Sequence, residues 1–170
     1  FAQVEREVSV ENNLKKIMAK SKPSERGKIV AYTDGGARGN PGPAAVGVVI
    51  EIPAKSLFGD RGTKEYGEYI GERTNNQAEY EAVIFVLKKI KQLVGKARTK
   101  ESEVEVRMDS ELVVRQLNGR YKILEPELQP LFLQVWNTKL DFKKVDFVHV
   151  PREENRAADG QVNRVLDSKT

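Results

Sequence analysis

Four acidic residues in the chain stand where a carboxylate calls for an explanation: Asp34 in "YTDGGARGNPGP", Glu79 in "TNNQAEYEAV", Asp109 in "VRMDSEL" and Asp159 in "RAADGQVN". Asp34 closes the β-rich run "KIVAYTD" and Asp109 closes "SEVEVRMD", so each is expected at a strand end. If those strands are parallel, both acids open onto the carboxyl edge of the sheet, where open α/β structures hold their ligands. Glu79 precedes Val83 by four residues and Val86 by seven, which sets its carboxylate on the apolar face of a helix. A charge there is costly unless it is paired or bound to metal. Asp159 falls on a final helix whose Ala157, Ala158 and Val162 are expected to face the core. Together the four read as a cage of hard oxygen ligands for divalent cations. Two such ions, about 3.5–4 Å apart, could activate a water on one side of a phosphorus and stabilise the leaving oxygen on the other. Taken singly, each acid also fits a solvated surface position or a helix-cap partner, and the chain offers 25 acids to choose among.

Composition narrows the metal. There is no cysteine and one histidine, His149, so disulfides, thiolate sites and multi-histidine zinc sites are excluded. Oxygen ligands point to magnesium or manganese. A length of 170 residues with 39% hydrophobic content suits one domain with one core. No apolar run approaches the roughly 20 residues that span a bilayer, and charges interrupt residues 1–20, so a soluble cytoplasmic protein is expected. The net charge of +4 and a pI near 9.2 suit a phosphate-rich partner.

The elements that must position the acids can be read in outline. Residues 1–27 form an expected N-terminal arm with a short helix near Val10–Met18 and a Ser/Pro/Gly/Lys linker. Because the chain opens on Phe1, processing or added sequence is expected there, with Met18 as an alternative start. Residues 28–170 form the domain, in the order βββαβααβα. An antiparallel meander is followed by helix-joined strands, giving a mixed five-stranded sheet flanked by helices. Thr74 and Gln77 make a capping box that starts the long helix, and Asn75 and Asn76 fit the same helix start. Trp136, with Leu133 and Leu140 at helical spacing, is assigned to the core, and His149 to a structural place in the last strand. The bend from Asp34 to Pro43 holds four glycines and two prolines. It is not a nucleotide loop, since it lacks G-x-x-x-x-G-K-[ST] and runs into a strand instead of a helix. A long hairpin turn accounts for its glycines and leaves Asp34 unexplained.

The four motifs, in this order over roughly Lys28 to Asp167, resemble the type 1 ribonuclease H family. The resemblance implies a ribonuclease H-like fold and an endonuclease that hydrolyses the RNA strand of RNA/DNA hybrids, leaving 5′-phosphate and 3′-hydroxyl ends. It implies two Mg2+ ions, with Mn2+ as a substitute, held by Asp34, Glu79, Asp109 and Asp159. It further implies substrate contacts from Gly39 and Asn40 in the bend and from Thr74 and Asn75, and action as a monomer. Departures are present. Well-known bacterial and animal members carry a histidine in the loop before the last helix, where this chain reads "PREEN". Glu111 replaces a neutral residue, and the Gly119–Glu125 segment is too short for a basic handle helix. This matches the compact branch of the family, with modest and salt-dependent hybrid affinity expected. Two other classes remain at this point: a DNA junction resolvase or integrase core on a related fold, and a hybrid-binding domain without catalysis.

Overall fold

The structure is a computed structural model that describes residues 27–53 and 62–169, together with Asn12. The expected arm and its helix near Val10–Met18 therefore lie outside the described residues, Asn12 and Gly27 apart.

Strands β1 (Ile29–Ala37), β2 (Gly42–Ile52) and β3 (Gly62–Arg73) form the antiparallel meander. Helix α1 (Asn75–Val94) and the short α2 (Lys96–Thr99) lead to β4 (Glu103–Met108). Helices α3 (Glu111–Leu117) and α4 (Gln129–Lys139) lead to β5 (Lys144–His149), and a 3-10 turn at Arg152–Asn155 opens α5 (Arg156–Asp167). The sheet order is β3-β2-β1-β4-β5, with β4 parallel to both β1 and β5. Strict alternation works as expected in β4, where Val104, Val106 and Met108 are buried and Glu103, Glu105 and Arg107 face partly outward.

One sheet face packs on α1, α3 and α4. Tyr80, Val83, Leu87 and Ile90 of α1 join Ala31, Val48, Ile50, Val104 and Val106 of the strands in a single core. Tyr80 is wholly buried and satisfies its hydroxyl by donating to Gln116 Oε1 at 2.8 Å. The other face receives α5 through Val162, Val165 and Leu166 against Ala45. That helix comes so close because β2 has Gly47 beneath it: a Cβ there would lie 2.2 Å from the Ala158 carbonyl oxygen. No helix among the described residues is long and apolar enough to cross a membrane.

Several details differ from the sequence reading. β1 does not end at Asp34; it continues to Ala37 because β2 goes on pairing with it, Asp34 opposite Gly47 and Ala37 opposite Ala44. α4 starts at Gln129 and not near Pro126, since Pro130, which has no N–H to donate, sits in its first turn. Trp136, Leu133 and Leu140 are not core; they are 48%, 57% and 65% exposed. The α4 sequence holds two interleaved apolar stripes, and the one that packs inward is Leu128, Leu131, Phe132 and Val135. Ala157 is exposed, while its neighbour Ala158 is buried. His149 does belong to the last strand, as the final residue of β5, and is exposed beside Glu111, Arg115 and Arg120. In agreement with the short Gly119–Glu125 segment, the described residues between α3 and α4 form no handle helix.

Candidate active site

Parallel pairing of β1 with β4 runs from Ile29–Val104 to Tyr32–Arg107 and then stops. Asp34 lies two residues beyond it on β1, and Asp109 follows the last residue of β4. Both carboxylates therefore stand at the carboxyl edge of the parallel pair, and the third acid comes to them from α1. A Cβ on Gly35 would lie 2.1 Å from the Ala78 carbonyl and 2.4 Å from the Glu79 nitrogen, so the first turn of α1 rests directly on the β1 backbone. Capping fixes where that turn begins. The Thr74 hydroxyl accepts from the Gln77 N–H at 3.2 Å, and the Thr74 N–H donates to Gln77 Oε1 at 2.9 Å.

The result is a cluster in which Asp34, Glu79 and Asp109 each offer an oxygen, all within 4.8 Å of one another. Asp34 is 7% exposed. Burial, then the charge of Asp109 and the neighbouring Asp159, push its carboxyl from 3.8 up to about 8. Glu79 is also held well above the usual range, first by burial, then by the charges of Asp34 and Asp109, with the Gly35 N–H opposing the rise. Glu79 Oε2 is buried and has no hydrogen-bond partner among the described residues. Three carboxylates at this spacing, with an orphaned buried oxygen, repel one another unless protons or a cation lie among them. The donor set fits a hard divalent cation.

Asp159 lines the same cleft, of about 500 Å³, but is not one of the three mutually close acids. It sits on the first turn of α5, near enough to act on Asp34, and Asn163 Nδ2 donates to its Oδ2 at 3.4 Å. Of the expected substrate residues, Asn75 lines the cleft; Gly39, Asn40 and Thr74 do not. Asn40 and Asn75 also brace the turn against the helix. Asn40 Oδ1 accepts the Asn75 N–H, and Asn75 Oδ1 accepts the Ala37 N–H, both at 3.0 Å.

Residues not singled out in the sequence complete the cleft, chiefly Arg38, Ser110 and Arg152. Arg38 is paired with Asp167, whereas Arg152 has no ion-pair partner among the described residues. The Arg152 turn is tied down by Asn155, which is buried and donates from Nδ2 to the Thr33 carbonyl at 2.9 Å, one residue before Asp34. The available signal was position: Arg152 and Asn155 frame the "PREEN" segment.

A five-stranded mixed sheet, helices on both faces and acids gathered where its parallel strands end define the ribonuclease H-like class of α/β proteins. A family model described as reverse transcriptase-like matches residues 32–165. Ribonuclease HI of Halobacterium salinarum is 39% identical over 152 residues, which cover 89% of this chain and 70% of that protein. The chain belongs to the type 1 ribonuclease H family.

Solved structures agree. The crystal structure of RNase H1 from H. salinarum superposes with a TM-score of 0.72, covering 84% of this chain and 99% of that one. LC11-RNase H1, isolated from compost and crystallised with an RNA/DNA hybrid, gives a TM-score of 0.74 at 48% identity, with 84% and 99% covered. A bifunctional protein of Mycobacterium tuberculosis is 37% identical over 141 residues, and the match spans 36% of its length.

Proposed function

We propose that the chain is a metal-dependent endoribonuclease that hydrolyses the RNA strand of RNA/DNA hybrids, leaving 5′-phosphate and 3′-hydroxyl ends. The observation that carries this is the cluster of Asp34, Glu79 and Asp109 within 4.8 Å in an open cleft, with Asp34 pushed up to about 8 and a Glu79 oxygen unpartnered. Family membership supplies the substrate class, and LC11-RNase H1 was solved with such a hybrid.

In this reading Asp34, Glu79, Asp109 and Asp159 are the catalytic carboxylates and hold two Mg2+ ions, with Mn2+ as a substitute. When bound, such a pair supplies a water of lowered pKa for in-line attack and stabilisation for the departing 3′ oxygen. The chain supplies position and charge. Asp34, within β1 just past the end of its parallel pairing, and Asp109, directly after β4, fix the cations relative to the sheet, and Glu79 is held by the capped first turn of α1. Arg152, exposed and without an ion-pair partner among the described residues, attracts the phosphate backbone toward the clustered acids. The braced Asn40–Asn75 turn presents backbone to the shallow minor groove, where the 2′-hydroxyl distinguishes RNA from DNA. No side-chain nucleophile is needed. Residues 28–170 form the catalytic domain, residues 1–27 an arm, and the protein works as a monomer in the cytoplasm.

The test is cleavage of end-labelled RNA/DNA hybrid beside RNA duplex, DNA duplex and single-stranded RNA, in Mg2+, Mn2+ or EDTA. Cutting confined to the RNA strand of the hybrid and abolished by EDTA is expected. Cutting of a DNA junction, or no cutting by folded protein in either metal, would overturn the assignment.

A further inference from the structure

The acid cleft is not the largest concavity of the molecule. Helix α1 carries Glu79 into that cleft and Lys91 twelve residues later, about 18 Å farther along its axis. At this far end a cavity of about 670 Å³ opens between the last turns of α1, α2 and the α4–β5 connection. Lys88, Lys91, Lys96 and Lys100 line it, with Leu140 and Phe142 as its apolar residues. Asp141 is the one acid lining it, and it is engaged by Lys91 Nζ at 2.6 Å. Lys88, Lys96 and Lys100 are exposed and have no ion-pair partner among the described residues. Leu140, at the rim, also ends the outward stripe of Leu133 and Trp136 on α4.

We propose that this groove docks a short peptide segment of a partner protein in which acidic residues are interspersed with apolar ones. Three unpaired ammonium groups around one cavity call for negative charge, and a neutral apolar partner would strip their water without compensation. The apolar floor and the exposed Trp136–Leu140 stripe call for buried side chains, which a phosphate backbone does not provide. The volume admits a few side chains, so the occupant is a linear segment and not a domain surface. Its distance from the carboxyl edge of the sheet leaves the acid cleft open while the peptide is bound. The site thus serves to bring the protein to a partner, and it does not rest on the nuclease reading.

The experiment is fluorescence anisotropy with a labelled synthetic peptide in which aspartates alternate with leucine and phenylalanine. The comparison probes are an all-aspartate peptide, the same peptide with asparagine for aspartate, and single-stranded oligo-dT. The alternating peptide should bind in preference to all three. Lys96→Glu with Lys100→Glu should weaken it about tenfold or more, and Lys96→Gln with Lys100→Gln by less. Melting temperature and hybrid cleavage should stay unchanged in both double variants, whose sites are exposed. Equal binding of oligo-dT or the all-aspartate peptide would show a plain cation patch, and equal binding of the asparagine peptide a plain apolar one. Either result, no binding, or affinity unaffected by the lysine changes would overturn the proposal.

Discussion

The two ends of α1 treat charge in opposite ways. At its N-terminal end acids are buried without counterions among the described residues, and Asp34 and Glu79 are pushed upward first by desolvation and then by neighbouring carboxylates, Asp109 acting on both. At its C-terminal end lysines stand in solvent around an apolar floor, and the one acid there is already paired. Exposed charges cost the fold little and steer partners over distance. Buried, mutually repelling charges destabilise the metal-free protein and are tolerated where a bound cation offsets them. The lesson is that burial of charge, and not its amount, separates a site for a tightly held ion from a site for a docking partner.

The sharpest way to break this contrast is Asp109→Asn. It removes one negative charge from the cluster while keeping shape, so hybrid cleavage should fall by roughly 10³-fold with the melting temperature unchanged or raised. Single-turnover cleavage beside thermal unfolding would check it, and near-normal activity would remove Asp109 from the site. Next in size is Asn75→Ala, which deletes the acceptor for the Ala37 N–H. A rise in the KM for hybrid of about tenfold, with a smaller change in kcat, is expected from loss of a positioned turn.

Stability against pH should distinguish the two ends as well. The Asp34 carboxyl is raised from 3.8 to about 8, so between those values the folded protein keeps a proton that the unfolded chain releases. Metal-free stability therefore falls as pH rises from about 4 to about 8, and Glu79 acts in the same direction. At pH 8 Asp34→Asn should melt about 5 °C higher than the unaltered metal-free protein, and divalent cation should close that gap. Charge-neutralising the far-end lysines should leave the pH slope as it was.

Smaller effects come from the frame. Thr74→Ala removes the cap of α1 and should cost about 1 kcal/mol in denaturant unfolding. Trp136→Ser should change stability by less than about 0.5 kcal/mol, as for an exposed residue.

Much of the site was legible because its logic is local. An acid late in or just after each of two strands that pair in parallel and a carboxylate on an apolar helix face are patterns of spacing, and the Thr74–Gln77 box sets the phase of α1. What was not legible depends on which of several local options the tertiary structure selects. α4 offers two apolar stripes, and only packing against α1 decides that Val135 goes in and Trp136 out. Asp34 looked terminal because glycines and prolines follow it in the sequence; parallel pairing does stop at Tyr32, but antiparallel pairing with β2 carries β1 on to Ala37. Gly35 read as part of a long hairpin turn, but it lies within β1, where the lack of a Cβ lets helix and strand touch so that Glu79 meets Asp34. Arg152 reaches the cleft through the Asn155–Thr33 bond, a contact between residues 122 apart in the chain that no spacing rule exposes.

The claim that the clustered carboxylates hold a divalent cation is tested most directly by calorimetric titration of the metal-free protein with Mn2+ at pH 7, repeated in buffers of different ionisation enthalpy. With Asp34 near 8 and Glu79 raised, cation uptake should expel protons, so the apparent heat should vary with the buffer, and Asp34→Asn should lose both the binding and the dependence. Binding with no proton release, or binding that survives Asp34→Asn unchanged, would place the cation elsewhere and contradict the site.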